Sequence, residues 1–100
     1  MTAGDSETCT VYIITNKTNT TLYTGVTKDL KRRMYQHKNK VRPKTFSARY
    51  NLSKLVHFEK FKSKEKAYLK ERQLKKWNRD WKVQLIEETN SDWIDLTKMI

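Results

Sequence analysis

The stretch Asp29-Leu30-Lys31-Arg32-Arg33-Met34-Tyr35-Gln36-His37 breaks the usual pattern of an amphipathic helix. Positions i, i+3, i+4 and i+7 lie on one helix face, and in a globular domain that face is normally apolar. Here Leu30 and Met34 share the face with Arg33 and His37. Such violations often mark functional sites. We predict that Leu30 and Met34 anchor the helix on the core and that Arg33 and His37 border that packing. Arg33 is either a surface arginine or a phosphate ligand, since a guanidinium matches phosphate oxygens. His37 is either a hydrogen-bonded core residue or a group that donates a proton to a phosphate or orients it.

Two predicted strands precede this helix, which Thr27 or Asp29 can cap. Residues 8–15 and 21–26 are rich in β-branched and aromatic side chains, and the polar segment 16–20 joins them as an antiparallel hairpin. Tyrosines inside strands usually serve packing. If Tyr12 and Tyr23 share a face, however, their hydroxyls can converge near the helix, where a phenol can act as a general base.

Gly25 follows the second of these tyrosines. Because glycine has no Cβ atom, it lets the backbone turn sharply or approach a ligand closely between the strand and the helix.

The remaining chain is predicted to contribute one strand and two further helices. Residues 39–53 read as a long basic loop with a helical turn at 46–50, and residues 55–61 as a strand. Ser63 is expected to cap a helix over 64–77. Asp80 could cap a short helix, although the alternation around Trp81 also fits a strand. Asn90 or Ser91 is the expected cap of a last turn.

These elements predict an α/β protein of the α+β type. The expected architecture is a small, three-stranded, mainly antiparallel sheet flanked by helices, in the order β-β-α-β-α-α. A chain of 100 residues suits one domain, which we place at residues 8–100 after a disordered tail at residues 1–7.

Composition narrows the possible partners. The chain has 22 Lys and Arg against 11 Asp and Glu, a net charge of +11, which favours binding to nucleic acid through its phosphates. A solvated basic surface or an anionic membrane are the alternatives. The single cysteine precludes an internal disulfide and favours the cytoplasm. We expect neither a secretion signal nor a membrane span.

Glu71 is the second break in an apolar stripe. It lies between Ala67 and Leu74 at helical spacing. A buried carboxylate must be paired, neutralised or bound to a metal. Without other signals, an ion pair with Arg33, Arg72 or Lys75 is the simpler interpretation. Cysteine–histidine zinc sites and glycine-rich phosphate loops are missing from the sequence.

These motifs together resemble the GIY-YIG nuclease superfamily. The resemblance rests on Val11-Tyr12-Ile13 and Tyr23-Thr24-Gly25, on Arg33 and His37 at fixed spacing behind them, and on Glu71 in the next long helix. It covers residues 8–95 and is strongest for the small single-domain bacterial group. Val11 replaces the first glycine of the motif, and the late family asparagine corresponds to Asn78 or Asn90.

The resemblance implies a divalent-metal-dependent endonuclease that hydrolyses phosphodiester bonds in DNA. One of Tyr12 and Tyr23 would activate or position the attacking water, and Arg33 would stabilise charge on the scissile phosphate. His37 would assist as a proton carrier or a phosphate contact, and Glu71 would bind Mg²⁺ or Mn²⁺. A single carboxylate predicts weak metal binding without substrate.

We expect single-stranded or flexible DNA to be the substrate, with RNA as an alternative, because Phe46 and Tyr50 could stack on unpaired bases. The sequence does not define the oligomeric state. A nucleic-acid-binding module without cleavage activity is the competing hypothesis, and a structural partner protein is a weaker one. The residues expected to contact nucleic acid are Lys28, Arg32, Lys38, Arg42, Lys44, Phe46, Arg49, Tyr50 and Lys75.

Overall fold

A computed structural model describes residues 8–100 and shows an antiparallel sheet with helices on both faces. The predicted tail at residues 1–7 lies outside the described residues. The elements are β1 (Cys9–Thr15), β2 (Leu22–Thr27), α1 (Leu30–Lys38), α2 (Phe46–Arg49), β3 (Lys54–Phe61), α3 (Lys64–Lys76), α4 (Arg79–Thr89) and a final 3₁₀ helix (Leu96–Met99). The predicted fold class and the order of the main elements are confirmed.

Strand β1 occupies the centre of the sheet, in the order β2-β1-β3, and pairs antiparallel with both neighbours. Tyr12 stands opposite Gly25 on one side and Phe58 on the other. The register with β3 shifts between Ile13 and Ile14. Because both edges of β1 are paired, its side chains have the most rigid backbone support in the sheet.

Alternation along β1 divides the core into two layers. Val11 and Ile13 point to one face, where they pack with Ala67 and Leu74 of α3 and with Ile86 of α4. On the other face, β1 contributes Tyr12 and Ile14, which pack with Leu30, Met34, Leu52 and Leu55. Helices α1 and α3 therefore cover opposite faces of the sheet.

Helix α1 begins after Asp29, whose carboxylate accepts a hydrogen bond from the Arg32 backbone N–H at 3.1 Å. Leu30 and Met34 are buried, as predicted from the mixed stripe. The side chain of His37 is partly exposed. The prediction that the two apolar residues anchor the helix while its polar positions border the core is confirmed.

One predicted helix cap is wrong, and a second is correct only in part. Asn78, not Asp80, caps α4, because its side-chain oxygen accepts from the Trp81 backbone N–H at 2.9 Å. The segment around Trp81 is accordingly a helix and not a strand. Asp95 caps the final 3₁₀ helix, which begins at Leu96, whereas Asn90 caps only the preceding turn around Trp93, where its side-chain oxygen accepts from the Ile94 backbone N–H at 3.0 Å.

Polar contacts tie the end of the described chain to α1. Lys38 Nζ lies 2.7 Å from Asp95 Oδ2 and 2.8 Å from the Ser53 carbonyl oxygen. Burial raises the pKa of Asp95, but hydrogen bonds from Lys38, Thr97 and the Leu55 N–H outweigh it and hold the pKa at about 2. Within residues 8–100, no helix has the length and apolarity needed to cross a membrane.

Candidate active site

The polar half of the α1 stripe meets a tyrosine of the central strand. Tyr12 Oη lies 3.0 Å from His37 Nε2, and Arg33 Nη1 donates to the same oxygen at 3.4 Å. Tyr12 is fully buried. The structure therefore brings three of the predicted catalytic residues into one hydrogen-bonded group under α1.

Gly25 makes room for this group. A Cβ atom at Gly25 would lie 2.5 Å from Tyr12 Oη and 2.6 Å from Cζ, far inside ordinary contact distance. Gly25 lies inside β2 and pairs with Tyr12, and its φ is not positive, so the chain makes no sharp turn there. A group does approach the Gly25 backbone closely, but this group is the ring of Tyr12 and not a ligand.

Burial controls the protonation of both partners. Burial is the main cause that raises the pKa of Tyr12 to about 12, and the hydrogen bond and charge of Arg33 only partly oppose it. Burial also lowers the pKa of His37 to about 4, with a further lowering by the charge of Arg33. Near neutral pH the pair is therefore a neutral phenol beside a neutral imidazole.

Sequence reasoning missed Ser47. This residue is buried in α2, and its hydroxyl lies 2.8 Å from His37 Nδ1, so both ring nitrogens of His37 have partners. Ser47 also lies 3.3 Å from the hydroxyl of Thr45. The helical turn predicted at 46–50 contains Ser47, but no local sequence pattern identified His37 as the hydrogen-bond partner of this serine.

A cavity of about 410 Å³ opens above the group, between α1 and the loop that contains α2. Tyr23, Arg33 and His37 line it. The ring centroids of Tyr23 and His37 are 6.3 Å apart. The second motif tyrosine thus faces the cavity, whereas Tyr12 lies behind Arg33 and His37.

An aromatic row extends from the cavity to the surface. The rings of Tyr23 and Phe46 stack at a centroid distance of 6.1 Å, and those of Phe46 and Tyr50 are 4.7 Å apart. Phe46 is 47% exposed and Tyr50 is 49% exposed, which is unusual for large apolar rings and leaves their faces open to a ligand.

The predicted nucleic-acid contacts fall into three groups. Arg32, Arg42 and Phe46 line the cavity. Two lysines are held in ion pairs, Lys38 with Asp95 and Lys75 with Glu71. The others are exposed on the surface, and they are Lys28, Lys44, Arg49 and Tyr50.

Glu71 lies on α3, which covers the opposite face of the sheet. Its carboxylate lies 3.2 Å from Lys75 Nζ, and its side chain is 18% exposed. The negative charge contributes to the raised pKa of Tyr12, so the carboxylate lies within electrostatic range of the phenol. Glu71 is not among the described residues that line the cavity. The ion pair with Lys75 is one of the three pairings that the sequence offered as the simpler interpretation of Glu71.

The donor set limits what metal this site can hold. Among residues 8–100, no group of three or more His, Cys, Asp or Glu side chains is arranged to bind an ion. One carboxylate fits a hard cation such as Mg²⁺, which keeps several water ligands and binds substrate phosphate. It does not fit an all-protein cage. The residues present therefore suit a cation bound through Glu71, water and phosphate.

Neither candidate for the late asparagine lines the cavity. Asn78 caps α4, and Asn90 is buried, where its amide donates to the carbonyl oxygens of Val56 and Ile94. Both side chains have structural partners in the described chain.

Comparisons with known proteins agree with the fold and with the superfamily that the sequence resembles. The model of the GIY-YIG catalytic domain matches residues 8–84. A UPF0213 protein of Haloquadratum walsbyi is 37% identical over 78 residues, which are 78% of this chain and 85% of that protein. A UPF0213 protein of Clostridium perfringens is 41% identical over 76 residues, 76% of this chain and 80% of that protein.

A solved structure is also similar. The solution NMR structure of a UPF0213 protein from Bacillus halodurans has 32% sequence identity and a TM-score of 0.56, and the match covers 91% of this chain and 95% of that chain. The family match spans β1 through much of α4 and includes every motif residue. The chain belongs to the GIY-YIG nuclease superfamily.

Proposed function

We propose that this protein is a divalent-metal-dependent endonuclease that hydrolyses phosphodiester bonds in DNA, with single-stranded or flexible DNA as its preferred substrate. The observation that carries the proposal is the hydrogen-bonded group of Tyr12, His37 and Arg33 at a cavity lined by further basic side chains. A guanidinium neutralises phosphate charge, and a phenol with a neutral histidine behind it can move a proton.

Proton transfer at Tyr12 need not form a free phenolate. As water attacks the phosphorus atom, the Tyr12 oxygen takes the water proton while its own proton passes to His37 Nε2 at 3.0 Å. The bond from phosphorus to the leaving oxygen breaks, that oxygen takes a proton from solvent, and His37 later returns its proton to solvent. This relay avoids generating a phenolate whose conjugate acid has a pKa of about 12.

Arg33 links substrate binding to this step. Its bond to Tyr12 is long at 3.4 Å, and its side chain also lines the cavity. When a phosphate draws the guanidinium into the cavity, the guanidinium neutralises the charge of the phosphate. The Tyr12 oxygen then becomes accessible to water. Tyr23 lines the same cavity and would orient that water.

GIY-YIG nucleases generally depend on a divalent metal, and we assign its binding here to Glu71, with Mg²⁺ or Mn²⁺ as the cation. When bound, the cation polarises the phosphoryl oxygen. The positive charge of Lys75, 3.2 Å from one carboxylate oxygen, competes with a cation for Glu71. Metal affinity should therefore be low in the absence of substrate.

The aromatic row favours unpaired bases as substrate. Base–aromatic stacking contributes about 1–3 kcal/mol per base and requires bases outside a duplex. Exposed Phe46 and Tyr50 lie next to the cavity, and exposed Arg49 in the same segment can hold the backbone. RNA could stack equally well and is the alternative substrate.

A binding module without cleavage activity is the second candidate function. It is favoured by the placement of Glu71 outside the set of cavity-lining residues and by its pairing with Lys75. Such a protein would use the same basic and aromatic surface.

Cleavage of labelled DNA tests the proposal. Single-stranded DNA, duplex DNA and RNA are incubated with wild-type protein and Mg²⁺ or Mn²⁺, beside Arg33→Ala and Glu71→Ala. Lys31→Ala on α1 and Glu65→Gln on α3 are matched controls, because both residues are exposed on the same helices.

We expect wild type and both controls to cut single-stranded DNA faster than duplex, and both site variants to lose at least about 100-fold in rate, the scale of one acid–base or electrostatic group. Binding without cleavage would establish the second candidate. Equal cleavage by wild type and the Arg33 variant would refute the site. Affinity should fall steeply as salt rises, since phosphate contacts release counterions.

A further inference from the structure

The hydroxyl proton of Tyr12 has one available acceptor. Tyr12 is fully buried, and its oxygen has two hydrogen-bond partners in the described chain, Arg33 Nη1 and His37 Nε2. A guanidinium only donates hydrogen bonds. The phenol must therefore donate to His37 Nε2, because otherwise its buried proton has no partner and the desolvation of the hydroxyl is not compensated.

An independent count begins at Thr45, on the other side of His37. The Thr45 hydroxyl donates its single proton to the Arg42 carbonyl oxygen at 2.8 Å. Towards Ser47, 3.3 Å away, Thr45 can only accept. If Ser47 donates to Thr45, the Ser47 oxygen has no further proton to give and must accept from His37 Nδ1, which is 2.8 Å away.

Both counts of donors and acceptors constrain the protonation of the His37 ring. A neutral imidazole carries one proton, and the pKa of His37 near 4 keeps the ring neutral at physiological pH. With the proton on Nδ1, the hydroxyls of Thr45, Ser47 and Tyr12 each have an acceptor. These acceptors are the Arg42 carbonyl oxygen, the Thr45 hydroxyl oxygen and His37 Nε2, respectively. With the proton on Nε2, the Tyr12 proton has none, and no proton lies between Ser47 and Thr45.

We propose that Ser47 is a positioning residue that holds His37 in the tautomer protonated at Nδ1, so that Nε2 accepts the Tyr12 proton. Thr45 acts one step further away, by taking the Ser47 proton and so fixing the direction of the chain. The inference rests on the proposed function for its catalytic meaning, but the tautomer itself is a property of the folded protein without substrate.

Nitrogen NMR of the histidine ring measures the tautomer directly. In protein labelled with ¹⁵N at histidine, the two ring nitrogens of His37 differ in chemical shift and in coupling to ring protons according to which one carries hydrogen. His57 provides an internal reference, and His37→Gln assigns the signals. The variants are Ser47→Ala, Ser47→Thr and Thr45→Val, with exposed Ser91→Ala as the matched control.

We expect wild type, Ser47→Thr and Ser91→Ala to show His37 protonated at Nδ1. Ser47→Ala should give a mixture of tautomers, and Thr45→Val should shift the population towards Nε2–H, because the freed Ser47 proton can then donate to Nδ1. In the cleavage assay, Ser47→Ala should lose about 10- to 100-fold in rate, the usual effect of removing a group that orients a functional histidine, and Ser47→Thr should recover most of it.

Two results would overturn the inference. One is a wild-type His37 protonated at Nε2. The other is a Ser47→Ala ring that keeps the Nδ1–H tautomer in full. If wild type never cuts nucleic acid but the tautomer follows Ser47 as expected, the positioning inference stands and the proposed function fails. If cleavage depends on Arg33 but the tautomer does not follow Ser47, the proposed function stands and the positioning inference fails.

Discussion

Gly25→Ala should disrupt the site from inside the sheet. The new Cβ would lie 2.5 Å from Tyr12 Oη, 2.6 Å from Cζ and 2.9 Å from Cε1. The Tyr12 ring is fully buried, and its hydroxyl is hydrogen-bonded to His37, so the ring cannot move away freely from a new Cβ atom. The strand must shift, or the ring must leave the histidine.

The expected cost follows from those contacts. Overpacking costs about 1–3 kcal/mol, and losing the hydrogen bond to His37 adds about 1 kcal/mol. Because the φ of Gly25 is not positive, alanine has no backbone strain there, and its smaller unfolded-state entropy returns about 0.4–1 kcal/mol. The net loss in the free energy of unfolding should be roughly 1–4 kcal/mol.

Urea unfolding of wild type, Gly25→Ala, Tyr12→Phe and the double variant measures this cost and its origin. Tyr12→Phe removes the closest atom but leaves Cζ at 2.6 Å, so the double variant should lose less stability than the two single losses added together. Additive losses would mean that the two side chains do not collide. A Gly25→Ala protein as stable as wild type would refute the steric argument outright.

Three further predictions concern capping and protonation. Asn78→Ala should lower the free energy of unfolding by about 1 kcal/mol in urea titrations, because the α4 cap on Trp81 is lost, whereas Asn78→Ser should retain most of it. The pKa of Asp95 falls from 3.8 to about 2 on folding, so its stabilisation is present above pH 3.8 and is lost as the pH falls through 2; Asp95→Asn should flatten that part of a stability–pH curve. The pKa of His37 falls from 6.5 to about 4 on folding, so the unfolded chain binds this proton first and stability should decrease as the pH falls from 6.5 to 4; an unchanged slope in His37→Gln would contradict this.

The sequence predicts the fold well where a single periodicity dominates. The strands and long helices follow from β-branched runs and apolar stripes, and Ser63 caps α3 as expected. Helix caps were harder to predict because several polar residues compete locally. Asn78 and Asp80 both suit a helix start, and only the path of the chain after Trp77 decides which side chain meets a free N–H.

The site was predicted only in part because its contacts cross layers. The spacing of Arg33 and His37 identified the α1 face, which depends on one helix alone. The position of Glu71 depends on how α3 lies against the opposite face of the sheet, and no spacing along the sequence specifies that distance. Ser47 meets His37 through the fold of the long loop, and a serine in a helical turn carries no sign of its partner.

Helix α2 connects the two parts of the proposed site. Phe46 is 47% exposed, and Ser47 beside it is 6% exposed. Neighbouring residues on a helix point about 100° apart, so one side chain can face a base while the next holds His37. Under the proposed function, a base stacked on Phe46 would rest on the same four-residue helix that carries Ser47, the hydrogen-bond partner of His37 Nδ1. This helix lies in the loop between α1 and β3, and loops held by a rigid scaffold commonly carry functional residues.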